Sequence, residues 1–312
     1  MTAQQLLYKT VGMGLNVWSI VRPKATARQV LRLFASPPKP QIREKDRSFL
    51  KTARLDFLNV GETSIRTYHW GNTNHPLVLL SYGWGYNAGR WRHFVPALVD
   101  AGFQVVAYDP PGHGQSPKGL VTLPVNINCI KNLVLKYGKP EVMIGHSFGG
   151  ASSVQAVYES PERLHPQRMI IMSAFSDAPS VFRQFRSTLN LRRGLYRHMI
   201  HYLEQKIRRS IQEYDLARNA GSLPHIEALL VHDPDDAVTP YRHTQRYHAY
   251  WANSWLHSPK GAGHHLGKAA VTKAILDFAI SGKAPVQAER QSRPMPASHD
   301  LARYFAGLEF YL

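Results

Sequence analysis

Several things are scarce in this chain, and each scarcity narrows what it can be. Cysteine occurs once in 312 residues, at Cys129, so no disulfide can close within the chain and a reducing compartment suits it. No apolar run reaches the ~18 residues that a spanning helix needs, and mean hydropathy is −0.31. Residues 1–38 lack a basic n-region leading into a compact apolar core and a small-residue cleavage site. That argues against a secretory signal and makes the cytoplasm the expected location, with peripheral membrane attachment left open. Glycine-rich dinucleotide or P-loop spacing is missing, as is any close His/Cys cluster, so neither a cofactor nor a metal is expected.

Acidic residues are scarce too. The 21 Asp+Glu stand against 38 Lys+Arg, a formal charge of +17. Such a field favours anionic partners such as nucleic acid, anionic lipid or anionic substrates. Zinc-finger spacing, an RNA-binding aromatic pattern and a basic region running into heptads are all lacking, so nucleic acid is not expected as a partner. The positive charge is uneven, with a local balance of +7 over residues 1–50 and +5 over 175–225. These blocks read either as solvated helix faces or as a surface for an anionic membrane or substrate.

What is present is an alternating rhythm. RLDFLNV and SIRTYHW, joined by GET, read as a hairpin. PLVLLSY, QVVAYD, VMIG, RMIIMSAF and HIEALLVHD are short apolar runs of the kind found in strands covered on both faces. SWLHSP completes the strands, and RWRHFVPALVDAG reads as one helix closed by Gly102. Further helical patterns fall at 124–138, 240–250 and 267–281. Strands alternating with helices predict an α/β fold with a mainly parallel sheet. Residues 178–221 break the rhythm with an arginine-rich helical pattern and read as a cap inserted between the halves 51–177 and 222–282. Residues 1–50 form an N-terminal segment whose apolar series Leu6, Leu7, Val11, Leu15, Trp18 and Ile20 marks an amphipathic helix, docked either on the main domain or on an anionic membrane. Residues 283–312 read as a mobile extension.

The stretch VMIGHSFGGASS, residues 142–153, carries the chemistry. It places Ser147 on the turn between a strand and a helix, where a strained backbone lifts the hydroxyl clear of the sheet. Gly145 and Gly149 remove side chains that would clash across so sharp a turn. A serine hydroxyl needs a base, and the base needs an acid to orient it. Both follow downstream, in LLVHDPDDAVTP and SPKGAGHHLGK, each after a strand, so the order is serine, aspartate, histidine.

On GHSFGG, SYGWG, DPPGHGQS, HDPDDAVTP and GAGHH, the chain resembles the α/β-hydrolase superfamily over residues 50–282. The resemblance implies an eight-stranded, mostly parallel sheet with a helical cap between strands six and seven. It implies Ser147 as nucleophile, Asp236 as the acid (from the His232, Asp236, Val238 spacing) and His264 as the base. It further implies an oxyanion hole from the backbone N–H groups of Trp84 and Phe148. Superfamily dehalogenases and epoxide hydrolases carry an aspartate where Ser147 stands, which disfavours those reactions here. Carboxylic-ester hydrolysis fits best, while thioester or carbon–carbon hydrolysis by the same triad, or a non-catalytic ligand-binding role, stays open. The family's usual His-Gly is replaced by Tyr82-Gly83, and Tyr82 either braces that loop or extends into the pocket. Tyr82, Tyr86 and Phe175 are the candidate substrate contacts for a small-molecule ester. His113 reads as structural and His146 as a neighbour that packs or hydrogen-bonds beside the site.

Overall fold

Gly61, at φ +59, turns the chain between β1 (Arg54–Val60) and β2 (Thr63–Trp70), which pair as an antiparallel hairpin. In the computed structural model, which describes residues 2–38 and 41–295, seven further strands extend this edge into one sheet. They are β3 (Leu77–Ser81), β4 (Gln104–Asp109), β5 (Val142–His146), β6 (Arg168–Met172), β7 (Glu227–Val231), β8 (Ser254–His257) and β9 (Glu289–Arg290). The order is β1-β2-β4-β3-β5-β6-β7-β8-β9. β3 through β8 are parallel to one another, and only the edges are antiparallel. Every position of β3, β4 and β5 is buried, which accounts for their unbroken apolar sequences.

Helices cover both faces. Leu79, Val106, Met143 and Ile171 point into a core shared with α5 (Leu123–Tyr137) and α6 (Phe148–Tyr158). Their strand neighbours Leu80, Val105, Ile144 and Ile170 point the other way, with α4 (Val95–Asp100) and α11 (Ala269–Ser281). Between β6 and β7 the chain leaves the sheet to form α7 (Ala178–Leu189), α8 (Arg193–Ile207) and α9 (Leu216–Ala220), then returns; α10 (Arg242–Tyr250) links β7 to β8.

Two expectations need correction. The single helix expected at 90–102 is a 3₁₀ segment, Ala88–His93, followed by α4, because Pro96 has no N–H and fits only in a helix's first turn. The sheet has nine strands rather than eight, since residues of the expected mobile extension pair with β8 as β9; residues 296–312 lie outside the described residues. The apolar series from Leu6 to Ile20 falls on α1 (Ala3–Val21), and the N-terminal segment continues as α2 (Pro23–Ala35) and α3 (Glu44–Leu50). Pro23 makes the break, ending α1 and opening α2.

Candidate active site

Four parallel strands deliver their C-terminal ends to one place. Ser147 leaves β5 at φ 52, ψ −123, and α6 begins at the next residue. A β-carbon-bearing residue in that region is strained by roughly 1–3 kcal/mol, and the surroundings hold it there. The Ser147 N–H donates to the Met172 carbonyl at 2.7 Å. A β-carbon on Gly145 would fall 2.5 Å from Gly150 Cα, and one on Gly149 would fall 2.4 Å from the carbonyl oxygens of Ser81 and Tyr82. The glycines are thus required by close backbone approach. Phe148 occupies the first position of α6, where a helix N–H has no partner within the helix.

The Ser147 hydroxyl lies 3.1 Å from His264 Nε2, and His264 Nδ1 lies 2.8 Å from Asp236 Oδ2. With the Nδ1 proton facing the carboxylate, Nε2 is left free to accept a hydrogen bond from the Ser147 hydroxyl. Burial pushes the Asp236 carboxyl up, but hydrogen bonds from His232, His264 and the amides of Thr239 and Val238 hold it well below the usual carboxylate range. It is therefore ionised. Its second imidazole partner is His232, fully buried, with Nε2 3.2 Å from Oδ2 and 2.9 Å from the Thr239 carbonyl. The two backbone amides, Val238 at 2.8 Å and Thr239 at 3.0 Å, donate to Oδ1. Asp233 acts on the backbone instead, its Oδ2 accepting from the Gly263 N–H at 2.6 Å and so tying the histidine's loop to the end of β7.

On the other side of Ser147 lies the loop after β3. Gly83 approaches so closely that a β-carbon there would sit 2.9 Å from Ser147 Cβ and 3.0 Å from His146 Nδ1. Trp84 follows, its ring edge-on to Phe148 at 5.7 Å and to His113 at 5.5 Å. His113 Nε2 accepts from the Gly85 N–H at 2.9 Å, so His113 holds this loop. Tyr82 does not face a substrate. It is 2% exposed, and its hydroxyl donates to Asp109 Oδ1 at 2.6 Å. The Asp109 carboxylate is a buried hub that also accepts from Tyr68, Ala88 and Gln115. Tyr82 therefore braces the loop, which corrects its placement among the substrate contacts.

His146 is buried with its Nε2 2.9 Å from the His264 carbonyl, and burial, then Arg90 and His264, push its pKa well below the ordinary value. It stays neutral and holds the backbone at His264. Arg90 donates to the neighbouring carbonyl of His265 at 2.9 Å. Tyr86 stacks at a tilt on His265, with ring centroids 5.4 Å apart, beside the site. Phe175 is half-buried and packs into the core below α7, its carbonyl accepting from Tyr247. A cavity of about 480 Å³, lined by residues including Phe49, Thr52, Trp70, Val99 and Gln104, touches none of these groups. Among the described residues no three His, Cys, Asp or Glu side chains are grouped to hold a metal.

Sequence reasoning named Ser147, Asp236 and His264 together but gave no hydrogen-bonding role to His232 or Asp109. His232 was visible as a spacing mark and Asp109 as the first residue of DPPGHGQS, but neither position showed which groups it would bond.

Comparison with known proteins bears on this arrangement. Residues 76–200 match the family described as alpha/beta hydrolase fold, and residues 208–291 match a second, described as TAP-like protein. A 2-hydroxy-6-oxononadienedioate/2-hydroxy-6-oxononatrienedioate hydrolase of Paraburkholderia phymatum is 30% identical over 159 residues, 47% of this chain and 54% of that protein. A pimeloyl-[acyl-carrier protein] methyl ester esterase of Methylococcus capsulatus is 34% identical over 87 residues, 28% of this chain and 33% of that protein. The chain thus spans about half the length, or less, of the curated relatives it matches. The crystal structure of an enol-lactonase from Burkholderia xenovorans superimposes with a TM-score of 0.55 at 20% identity, covering 72% of this chain and 99% of that one.

Proposed function

The chain belongs to the α/β-hydrolase superfamily, and from that premise we propose that it hydrolyses carboxylic esters through an acyl-enzyme on Ser147. The observation that carries the reading is the continuous line from the Ser147 hydroxyl through His264 to Asp236, at 3.1 and 2.8 Å. Ser147 attacks the ester carbonyl while His264 Nε2 takes its proton. The backbone N–H groups of Trp84 and Phe148 hold the oxyanion that forms. His264 then returns the proton to the departing alcohol, and water, activated by the same imidazole, releases the acid. Asp236 holds the tautomer throughout and steadies the imidazolium. A serine at position 147 supports acyl transfer over chemistry that needs a carboxylate nucleophile.

Thioester and carbon–carbon substrates would use the same groups. The 30% identity to a hydrolase acting on a 2-hydroxy-6-oxo dienedioate supports including such a substrate class in the test. The test is fluorophosphonate labelling read by intact mass on the wild type and Ser147→Ala, with p-nitrophenyl esters of increasing chain length. One label on the wild type, lost in the variant, with turnover of some esters, is the expected result. A well-folded wild type that takes no label would overturn the catalytic reading in favour of a ligand-binding role.

A further inference from the structure

α1 is built inside out. An amphipathic helix on a soluble protein buries its apolar stripe against the core. α1 instead docks through Gly12, Asn16 and Ser19, with Leu15 the apolar side chain that packs on the core beside them. Gly12 is its only buried residue, and a β-carbon there would lie 1.6 Å from the Leu189 carbonyl oxygen of α7. Asn16 Nδ2 donates to the Asn190 carbonyl at 2.9 Å, and the Arg192 N–H donates back to Asn16 Oδ1 at 2.9 Å. The far side carries Leu7, Met13, Val17, Trp18, Ile20 and Val21, each between 59% and 81% exposed. So large a contiguous apolar surface marks an interaction site.

The surroundings say what covers it. Residues 2–38 hold five Lys/Arg and no Asp or Glu, and residues 178–203, which include α7 and most of α8, hold another five and again no acid. An apolar stripe with a tryptophan, on a segment that carries cations and no carboxylate, complements the headgroup layer of an anionic bilayer. A protein partner would need to bring both an apolar groove and a dense acidic rim. No described helix is long and apolar enough to cross a membrane, and α1 lies along the protein surface instead. We infer that α1 is an interfacial anchor, seated in the headgroup layer of an anionic membrane with α7 and α8 above it.

The anchor is continuous with the candidate active site. α2 returns from α1 with Phe34 packed on Phe182 at 4.6 Å and Phe185 at 5.0 Å. Residues 36–38 then run over the loops that flank Ser147. Pro38 Cγ would be 2.9 Å from a β-carbon on Gly85, and Pro37 Cγ 2.7 Å from one on Gly112. The inference concerns the surface and stands whether or not Ser147 is a nucleophile.

Flotation with vesicles of phosphatidylcholine alone, or with phosphatidylglycerol added, tests it on the full chain and on Val17→Ser/Trp18→Ser/Ile20→Ser. The replaced side chains already face solvent, so far-ultraviolet circular dichroism and the melting midpoint are expected to stay unchanged. Fluorophosphonate labelling, run alongside, reads the hydrolase proposal separately. The wild type is expected to float with the anionic vesicles and less with neutral ones, with added salt weakening but not abolishing the association. The triple variant is expected to partition at least ~10-fold less. A wild type that stays in solution with anionic vesicles at low salt, or a variant that floats as well as the wild type, overturns the inference. So does a wild-type dimer that the variant converts to monomer without any vesicle binding, which would assign the stripe to a second copy.

Discussion

At the scale of single residues, His232 is a side chain that the sequence marked by its spacing from Asp236 but not by its contacts. Its Nε2 approaches the same Asp236 oxygen that orients His264, and its burial leaves no water to replace it. Removing one partner from a buried polar group costs ~1–3 kcal/mol. If that falls on the orientation of the base, His232→Ala is expected to lower kcat about 10- to 100-fold with little change in KM. A loss confined to thermal stability, with kcat intact, would reduce His232 to a packing residue. Tyr82 makes the complementary case. Tyr82→Phe removes one of the four donors to buried Asp109 while keeping the ring, so stability is expected to fall by ~1–3 kcal/mol, read as a lower urea midpoint. Both residues could be read as motif members, but the sequence could not say which atoms they touch: Tyr82 meets Asp109 from another loop, and His232 meets Asp236 and Thr239 only because its own loop folds back on it.

At the scale of elements, the legible parts are those with strong local causes. Strand positions followed from apolar runs, because burial on both faces forbids polar alternation, and the turn at Ser147 followed from its glycines. The orientation of α1 was not legible. A 3.6-residue period reveals a stripe, but Gly12 and Asn16 decide which side docks, and their partners on α7 and in the turn after it are more than 170 residues away. The loop after β3 offers the sharpest test at this scale. Gly83→Ala would place a methyl 2.9 Å from Ser147 Cβ, so either the loop or the serine must move by several tenths of an ångström. We expect the fold to survive and the rate of fluorophosphonate labelling to drop by about tenfold or more, since misplacement on this scale weakens both attack and oxyanion contact. Labelling at the wild-type rate would mean that the loop yields without consequence and that Trp84 contributes no donor.

At the scale of the whole molecule, charge and burial together set the response to acid. The chain already carries +17 with its 16 histidines neutral. Several of those histidines are buried where the charged form is disfavoured. Burial, with Arg54 and Lys136 adding to it against the opposing pull of Asp56, brings His69 down to about 4. Burial likewise lowers His146, with Arg90, His264 and His265 in support, and it lowers His243 despite the nearby Asp177. In each case the native state refuses a proton that the unfolded chain accepts below its ordinary value of about 6.5. Stability therefore rises with pH across the window between those values, by up to ~1.4 kcal/mol per pH unit for each such histidine. The depressed carboxylates Asp233 and Asp236 act in the same direction but lower down, because their contribution is complete above an unfolded value of about 4 and is lost only below it. Self-repulsion among the added positive charges compounds both. The urea midpoint is thus expected to fall steeply between pH 7 and pH 5, before any carboxylate titrates, and His69→Phe should flatten that fall by removing one proton's worth of slope. A midpoint that holds steady from pH 7 to pH 5 would mean that the buried imidazoles take up protons in place, and the burial that fixes His146 behind His264 would then be no barrier to its charging.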